Sequence, residues 1–438
     1  MNEHWKRPEE EAIEAAREEV VGRILEFLLA SPGEQALRRI LGIGSPSSLS
    51  GRAREFYEKL GRSPFFGPIL DDWYRGFCLN APGSDLNLPA KMSEMFLGAA
   101  FSPADGKALG GDIVVIRPVD SSSKNAGLAF CVADCITPVF PMPSKLAAIK
   151  EEIEDRYYGE TGNRLRIGAD ELLALLLHTL PIGDYLEGEE YLEGEEPLVR
   201  INSALYERLA SIGCPPTAEN FHLFPGAVMI TGKIGGDYID LQGTGDVRVA
   251  LVGRDGTYVL SPDSFGQGRE IDRTTVVIME FICREEGVSW RDCHSHSMVK
   301  RWLQWTYRKK FGEVVTVVNG LPGVSSWKLK YPLASLSAAA VYTDGLLYCV
   351  SPDKRDEKLK LVFESVSKCA LVRQIGNLRA DIPRDSARDS SPKREKKNDD
   401  LAGMFLFLGR PAFVEGGLIS LFGDELAKKI LRLRGAVR

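Results

Sequence analysis

Four short aspartate motifs, each beside a hydrophobic run typical of a β-strand, contain the residues of this chain best suited to chemistry. They are Gly110-Gly111-Asp112, Ala133-Asp134, Thr343-Asp344-Gly345 and Asp399-Asp400. Hard cations such as Mg²⁺ and Mn²⁺ prefer oxygen ligands and are usually held by a few carboxylates from distant parts of a chain. The motifs therefore predict one divalent-metal site, of the kind that serves phosphate chemistry.

The hydrophobic runs beside these motifs predict the strands that would position them. Runs rich in Val, Ile and Phe at 113–118 and 127–133 predict a hairpin, and glycine turns divide 226–260 into an antiparallel meander. Helical periodicity predicts helices at 144–157, 169–179 and 201–212. Strands are also predicted at 275–283, 314–318, 338–343 and 404–408. Strands, then helices, then strands again predict an α+β layered fold built on antiparallel sheets.

The composition restricts the classes of partner. The chain has 438 residues, 44% of them hydrophobic, and a net charge of −6, so it has no basic surplus for nucleic acid. No apolar run approaches the roughly 18 residues that a membrane span needs. The eight cysteines form no closely spaced pairs of the zinc type. We expect a cytoplasmic protein that binds neither nucleic acid nor membrane.

The first residues predict an amphipathic helix that needs a partner surface. Ile13, Val20, Ile24, Phe27 and Leu28 fall on one face at helical spacing. We interpret 1–90 as a helical N-terminal region, 91–409 as the main domain with insertions, and 410–438 as a basic helical tail. The N-terminal helices would either pack on the main core or serve regulation or homodimerisation.

Five motifs in order resemble the metal-dependent protein phosphatase 2C family, most of all its bacterial sporulation and stress-response branch. Pro103-Ala104 is followed by Gly110-Gly111-Asp112 before a strand, and Asp134 ends the return strand of the hairpin. The run 245–256 is similar to a central strand pair of the family. Thr343-Asp344-Gly345 and then Asp399-Asp400-Leu401 complete the pattern. The resemblance covers about residues 100–408.

The resemblance implies an αββα fold, in which two antiparallel β-sheets are sandwiched between helices, and two Mg²⁺ or Mn²⁺ ions at the sheet edges. Asp112, Asp134, Asp344 and Asp399 would be the catalytic metal ligands, with Asp134 bridging, and the carbonyl of Cys135 would contribute as well. A bridging hydroxide would attack a serine or threonine phosphomonoester of a phosphorylated protein substrate. Lys107, five positions before Asp112, stands where relatives bind phosphate.

Other readings of the same residues stay open. Where the family has a glycine-rich turn, this chain has Cys135-Ile136-Thr137-Pro138, so the alternative is a catalytically degenerate, phosphatase-like interaction module in a signalling pathway. The cluster from Asp292 to His296 could bind zinc, or could begin a helix that carries Trp302. Cys135 is a poor candidate for a phosphatase nucleophile, because no glycine-rich loop ending in Arg follows it.

Overall fold

The computed structural model describes the chain in a set of separate ranges. They are 8–30, 35, 38, 76–79, 95–102, 109–119, 127–138, 140–187, 196–235, 237–255, 257–261, 266–293, 296–309, 317–324, 326–347 and 400–408. The predictions for Lys107, Asp399, strand residues 314–316 and the tail 410–438 lie outside these ranges.

Eleven described strands form two antiparallel sheets. The strands are β1 (Gly76–Leu79), β2 (Met95–Ser102), β3 (Ile113–Val119), β4 (Gly127–Ile136), β5 (Gly226–Gly235), β6 (Tyr238–Thr244), β7 (Arg248–Gly253), β8 (Tyr258–Leu260), β9 (Trp327–Pro332), β10 (Leu336–Tyr342) and β11 (Leu401–Leu408). One sheet has the order β1-β2-β11-β10-β7-β8 and the other has β3-β4-β5-β6-β9. This architecture confirms the predicted class of two antiparallel sheets with helices.

Alternating side chains of β4 give each face of the five-stranded sheet its own core. Leu128, Phe130 and Val132 pack between the sheets with residues such as Val249, Val341 and Met404. Ala129, Cys131 and Ala133 face the other way, into a core shared with the helices. Because successive side chains of a strand point to opposite faces, a run that is apolar throughout is buried on both sides.

The helices on the outer face of the five-stranded sheet form one layer. They are α1 (Pro8–Leu29), α2 (Ser144–Thr161), α3 (Ala169–His178), α4 (Ile182–Glu187) and α5 (Pro197–Ser211). Helix α3 is buried along most of its length, and its residues share a core with Ile113 and Val115. The predicted helices at 144–157, 169–179 and 201–212 are confirmed, with ends that differ by a few residues.

Helix α1 is part of that layer. Its residues Val20, Ile24 and Phe27 are buried in the same core as the sheet-facing helices. Arg17 donates to Glu152 of α2 at 2.6 Å, and Arg156 of α2 donates to Glu18 at 2.6 Å. Of the two readings of the N-terminal helix, packing on the main core is the one that the structure displays. The 1–90 boundary itself stays a prediction.

A second group of helices follows β8 and corrects one prediction. These helices are α6 (Gly266–Glu286), α7 (Trp290–Cys293) and α8 (Ser297–Lys309), and we call them the helical insert. The predicted strand at 275–283 is wrong, because these residues lie in α6. Val276, Val277 and Ile278 suggested a strand through their β-branched side chains, but Ile271, Met279 and Ile282 are buried at helical spacing. None of the described helices is both long enough and apolar enough to cross a membrane.

The predicted meander at 226–260 is correct in its strands and incomplete in its connections. Strand β5 pairs with β6, and β7 pairs with β8, but β6 and β7 belong to different sheets. The turn at Gly245 and Asp246 therefore carries the chain from one sheet to the other. Gly245 has φ +74°, and a Cβ there would lie 1.9 Å from Cγ1 of Val228. Only glycine fits this turn without displacing its neighbour.

Candidate metal centre

Carboxylates from both sheets meet where several strands begin or end. Asp112 directly precedes β3 and Asp400 directly precedes β11, whereas Asp344 follows β10 by two residues. Asp134 lies in β4 one position beyond Ala133, which pairs with Ile113, so it lies across from Asp112. Asp246 lies in the turn between the sheets. The topology thus gathers residues that are up to 288 positions apart in the chain.

The Thr343 hydroxyl connects three of these segments. It donates to Oδ2 of Asp112 at 2.7 Å and accepts from the backbone N–H of Ala402 at 2.9 Å. The backbone N–H of Thr343 also donates to the Ala402 carbonyl at 2.9 Å. Thr343 is fully buried, so these bonds are shielded from water. The hydroxyl therefore fixes one oxygen of Asp112 against the β10 and β11 strand ends.

The Gly110-Gly111 pair lets the backbone approach two other carboxylates. The backbone N–H of Gly111 donates to Oδ2 of Asp400 at 2.8 Å. A Cβ on Gly111 would lie 3.2 Å from Cβ of Asp170 and 3.4 Å from Oδ2 of Asp400. Asp170 lies in the first turn of α3, where a negative charge is favourable for the helix. A side chain at this position would be in tight contact with the acidic residues.

The carboxyls raise one another's pKa. Burial raises the pKa of Asp112 well above its usual value, and the nearby charges of Asp400 and Asp344 raise it further. Burial also raises the pKa of Asp134, as do the charges of Asp112, Asp344 and Asp246. The Asp112 and Asp134 carboxyls hydrogen-bond to each other. A buried pair of this kind shares a proton unless a cation replaces it.

The donor set fits a hard divalent cation. The carboxyls of Asp112, Asp134, Asp344, Asp400 and Asp246 are all oxygen donors, as Mg²⁺ and Mn²⁺ prefer. In their present orientations, however, no three described His, Cys, Asp or Glu side chains form one closed set of ligands. The two observations agree if Asp112 and Asp134 exchange their mutual hydrogen bond for a shared cation. The chemistry of the donors therefore supports the site.

The segment after Asp134 continues as a strand where a glycine-rich turn would be usual for the resembled family. Strand β4 runs on to Ile136, which pairs with Gly226 of β5. Cys135 is only 5% exposed, in the core beneath the helices. Burial and the charge of Asp134 raise the pKa of the Cys135 thiol well above its usual value. The thiol is therefore protonated and a poor nucleophile near neutral pH.

The structure brings together three of the predicted acidic ligands, Asp112, Asp134 and Asp344. It also places Asp400, the second aspartate of the predicted Asp399-Asp400 pair, at the site. Asp246 and Asp170 were not predicted as site residues. Asp246 follows Gly245 in a predicted turn. It was missed because the sequence does not show that this turn connects two different sheets. Asp170 resembles an ordinary acidic residue of a first helical turn.

The predicted zinc site at Asp292 to His296 has a different organisation in the structure. Nδ1 of His296 accepts from the N–H of Met298 at 3.3 Å, and Nε2 pairs with Glu286 at 3.1 Å. Cys293 is buried in the core of the helical insert, and His294 lies outside the described residues. The alternative prediction, the start of a helix that carries Trp302, is confirmed by α8.

No family model matches this sequence, and no curated protein matches it either. Solved structures similar to the chain include the serine/threonine phosphatase Stp1 from Staphylococcus aureus, which is 12% identical with a TM-score of 0.36. That match covers 72% of this chain and 95% of the other. The S. agalactiae serine/threonine phosphatase is 12% identical over 72% of this chain and 100% of that one, with a TM-score of 0.39. RsbX in complex with magnesium is 14% identical over 72% of this chain and 96% of that one, with a TM-score of 0.33.

Proposed function

We propose that this chain is a Mg²⁺- or Mn²⁺-dependent phosphatase that hydrolyses phosphoserine and phosphothreonine monoesters in proteins. The observation that carries the proposal is the meeting of Asp112, Asp134, Asp344 and Asp400 at one place between two antiparallel sheets. Buried carboxyls that raise one another's pKa are costly to maintain unless they serve a site. The order of the five sequence motifs supports the same activity.

Each residue of the site has a distinct part in this proposal. Asp112, Asp134 and Asp344 would hold two divalent cations, and Asp400 and Asp246 lie near enough to complete the set. Divalent cations in such a site supply Lewis acidity toward phosphate oxygens and toward water. The Thr343 hydroxyl orients Asp112, and the Gly111 N–H orients Asp400. Their hydrogen bonds reduce the reorganisation that substrate binding would otherwise require.

The surroundings of the site support direct hydrolysis. The Cys135 thiol is buried and protonated, so it offers no covalent route. Ile136 and Thr137, which follow Cys135, are exposed, so a phosphoprotein could contact them. Asp399 and Lys107 retain the roles of second-metal ligand and phosphate contact as proposals from the resemblance. A cytoplasmic location and a phosphorylated protein partner are part of the same proposal.

The test is phosphate release from a panel of phosphoserine and phosphothreonine peptides, with and without Mn²⁺. We expect release that requires Mn²⁺ and is lost in Asp112→Asn and Asp344→Asn, because each variant removes a ligand charge. The matched control is Asp155→Asn, which changes an exposed aspartate of α2 and should keep full activity. Circular dichroism of each variant would separate lost activity from lost folding.

The second candidate is the phosphatase-like interaction module. The observation that favours it is the continuation of β4 through Cys135 to Ile136, in place of the turn that the family uses near its metals. Absence of both phosphate release and Mn²⁺ binding in the folded wild-type protein would contradict the phosphatase and support the module. Mn²⁺ binding is measured by electron paramagnetic resonance. If Mn²⁺ binds but no phosphate is released, the panel lacks a suitable substrate; if Mn²⁺ does not bind, the metal site itself is lost.

A further inference from the structure

Two cysteines meet inside the helical insert. Cys283 lies in the last turn of α6, and Cys293 is the last residue of α7. Their Sγ atoms are 3.1 Å apart, although the residues are ten positions apart in the chain. A disulfide bond requires a separation of about 2.05 Å, so the sulfurs need to approach by only about 1 Å.

The packing of the helical insert holds this pair in place. Cys293 is fully buried with Met279, Ile282 and Val299, and its Sγ lies 3.7 Å from the Met279 carbonyl. Cys283 is half-buried and packs against the same core from its edge. Asp292 and Ser289 hydrogen-bond at 2.6 Å and fix the short turn before Cys293. The two thiols are thus preorganised, and only one of them is open to a reagent.

The buried thiol, Cys293, is held in its protonated form as well as shielded from solvent. Burial and the hydrogen bond between Cys293 and Cys283 raise the pKa of Cys293 to about 11, and the charges of Asp292 and Glu286 act in the same direction. Cys293 therefore remains protonated near neutral pH. Since the thiolate is the attacking form, Cys283 is the thiol that a soluble reagent would meet first.

We propose that Cys283 and Cys293 are a reversible redox site that forms an intramolecular disulfide with low-molecular-weight disulfides such as glutathione disulfide. The Cys283 thiolate attacks one sulfur of the reagent and releases the first thiolate, giving a mixed disulfide on Cys283. Cys293 then loses its proton, attacks Sγ of Cys283 and releases the second thiolate. In total the protein loses two protons and two electrons, and the reagent gains them and becomes two thiols.

The bond would connect α6 to α7 within the helical insert. The helical insert packs on Phe140, which lies six positions after Asp134. A disulfide that closes so short a loop stabilises the folded insert by restricting its unfolded state. In a reducing compartment such a bond is transient, as redox-responsive disulfides usually are. The site is independent of the proposed phosphatase activity and stands or falls separately.

Peptide mapping after equilibration with glutathione tests the site. The full-length protein is incubated in buffers with stepped ratios of glutathione to glutathione disulfide, alkylated, and digested with trypsin without reduction. Cleavage after Arg284 and Arg291 separates peptide 274–284, which contains Cys283, from peptide 292–300, which contains Cys293. We expect the two peptides to appear joined as the ratio falls and to separate again after reduction.

Three variants test the order of events. Cys293→Ser should accumulate glutathione on Cys283, because the second thiol is missing. Cys283→Ser should leave Cys293 unmodified, because the buried thiol is not accessible. Cys214→Ser, which removes another buried cysteine outside the insert, should keep the joined peptides. Absence of the joined peptides in the wild-type protein at every ratio, or glutathione on Cys293 in Cys283→Ser, would overturn the proposal.

Discussion

At the scale of single residues, the Thr343 hydroxyl decides how Asp112 is presented. It accepts the Ala402 N–H at 2.9 Å and donates its own proton to Asp112 at 2.7 Å. Both lie in a part of the protein with almost no solvent access, since Asp112 is 3% exposed. A hydrogen bond donated to a carboxylate favours its charged form, which is the form that binds a cation. The hydrogen bond from Thr343 therefore lowers the pKa of Asp112 and partly opposes the effect of burial, which raises it.

The raised pKa values of Asp112 and Asp134 predict that Mn²⁺ affinity increases with pH. In the metal-free protein these carboxyls keep protons above the usual range of aspartate, and a cation must displace them. We expect isothermal titration calorimetry to show weaker binding as pH falls from 8 to 6, with protons released into the buffer on binding. The heats measured in two buffers of different ionisation enthalpy would give the number of protons.

The Asp112 and Asp134 carboxyls also determine whether the stability of the metal-free protein rises or falls with pH. Because the folded-state pKa values are raised, the folded protein binds more protons than the unfolded chain above the usual aspartate pKa of about 3.9. Stability from these two groups is present at low pH and is lost as pH rises through the folded-state values. Asp112→Asn should reduce this loss of stability at high pH, and the same variant should weaken Mn²⁺ binding. Affinity independent of pH would contradict a site built on these two carboxyls.

The sequence predicted the acidic residues that stand beside strand ends and missed those whose position depends on the long-range fold. Asp112, Asp134 and Asp344 each adjoin an apolar run, and this local pattern singled them out as candidates. Asp246 reaches the site only because its turn crosses between the sheets, and Asp170 only because α3 begins beside Gly111. Pairing between strands far apart in sequence is a tertiary property, and local patterns do not determine it.

At the scale of elements, the turn between β6 and β7 positions Asp246 and depends on Gly245. A side chain at Gly245 would need to adopt φ +74°, which costs about 1–2 kcal/mol for a residue with a Cβ. Its Cβ would also lie 1.9 Å from Val228, which is fully buried between the sheets. Overpacking a tight core costs a further 1–3 kcal/mol or so. The turn is thus constrained both by its backbone and by its neighbour.

We therefore predict that Gly245→Ala lowers the free energy of unfolding by more than Gly162→Ala does. Gly162 ends α2 with φ +69°, but a Cβ there meets nothing within 4 Å, so that variant isolates the backbone cost. Urea denaturation of both variants gives the difference, which we expect to be about 1–3 kcal/mol from overpacking alone. Equal losses would mean that Val228 moves aside without cost. That result would remove the close contact as a reason for glycine.

The helical insert shows why an element type can be misjudged. Residues 275–283 contain several β-branched residues in succession, and this composition favours a strand. In the structure these residues are helical, with Ile271, Met279 and Ile282 buried on one face of α6. Trp302 of α8 also donates a hydrogen bond to the Thr275 hydroxyl at 3.1 Å. Packing against α8 outweighs the intrinsic preference, as is usual when propensities are weak.

At the scale of the whole molecule, α1 belongs to the same hydrophobic core as the strand that begins next to Asp112. Val20, Ile24 and Phe27 pack in the core that also contains Ile113 of β3, the residue after Asp112. The first helix is thus continuous with the packing beneath the site. A regulatory role for this helix would require it to leave a core in which its apolar face is fully buried.

Truncation of one buried side chain of α1 should therefore destabilise the whole domain. Ile24 is 1% exposed, and Ile24→Ala removes apolar contacts and leaves a cavity, at a cost of about 2–5 kcal/mol. The matched control is Leu29→Ala in the same helix, since Leu29 is 46% exposed and its loss should change stability by only about 0.5 kcal/mol or less. Urea unfolding followed by tryptophan fluorescence and by far-ultraviolet circular dichroism should give one coincident transition for each variant. If Ile24→Ala shifted the midpoint no more than Leu29→Ala, α1 would be undocked in solution, and the regulatory or dimerising reading of the N-terminal helix would replace the packing one.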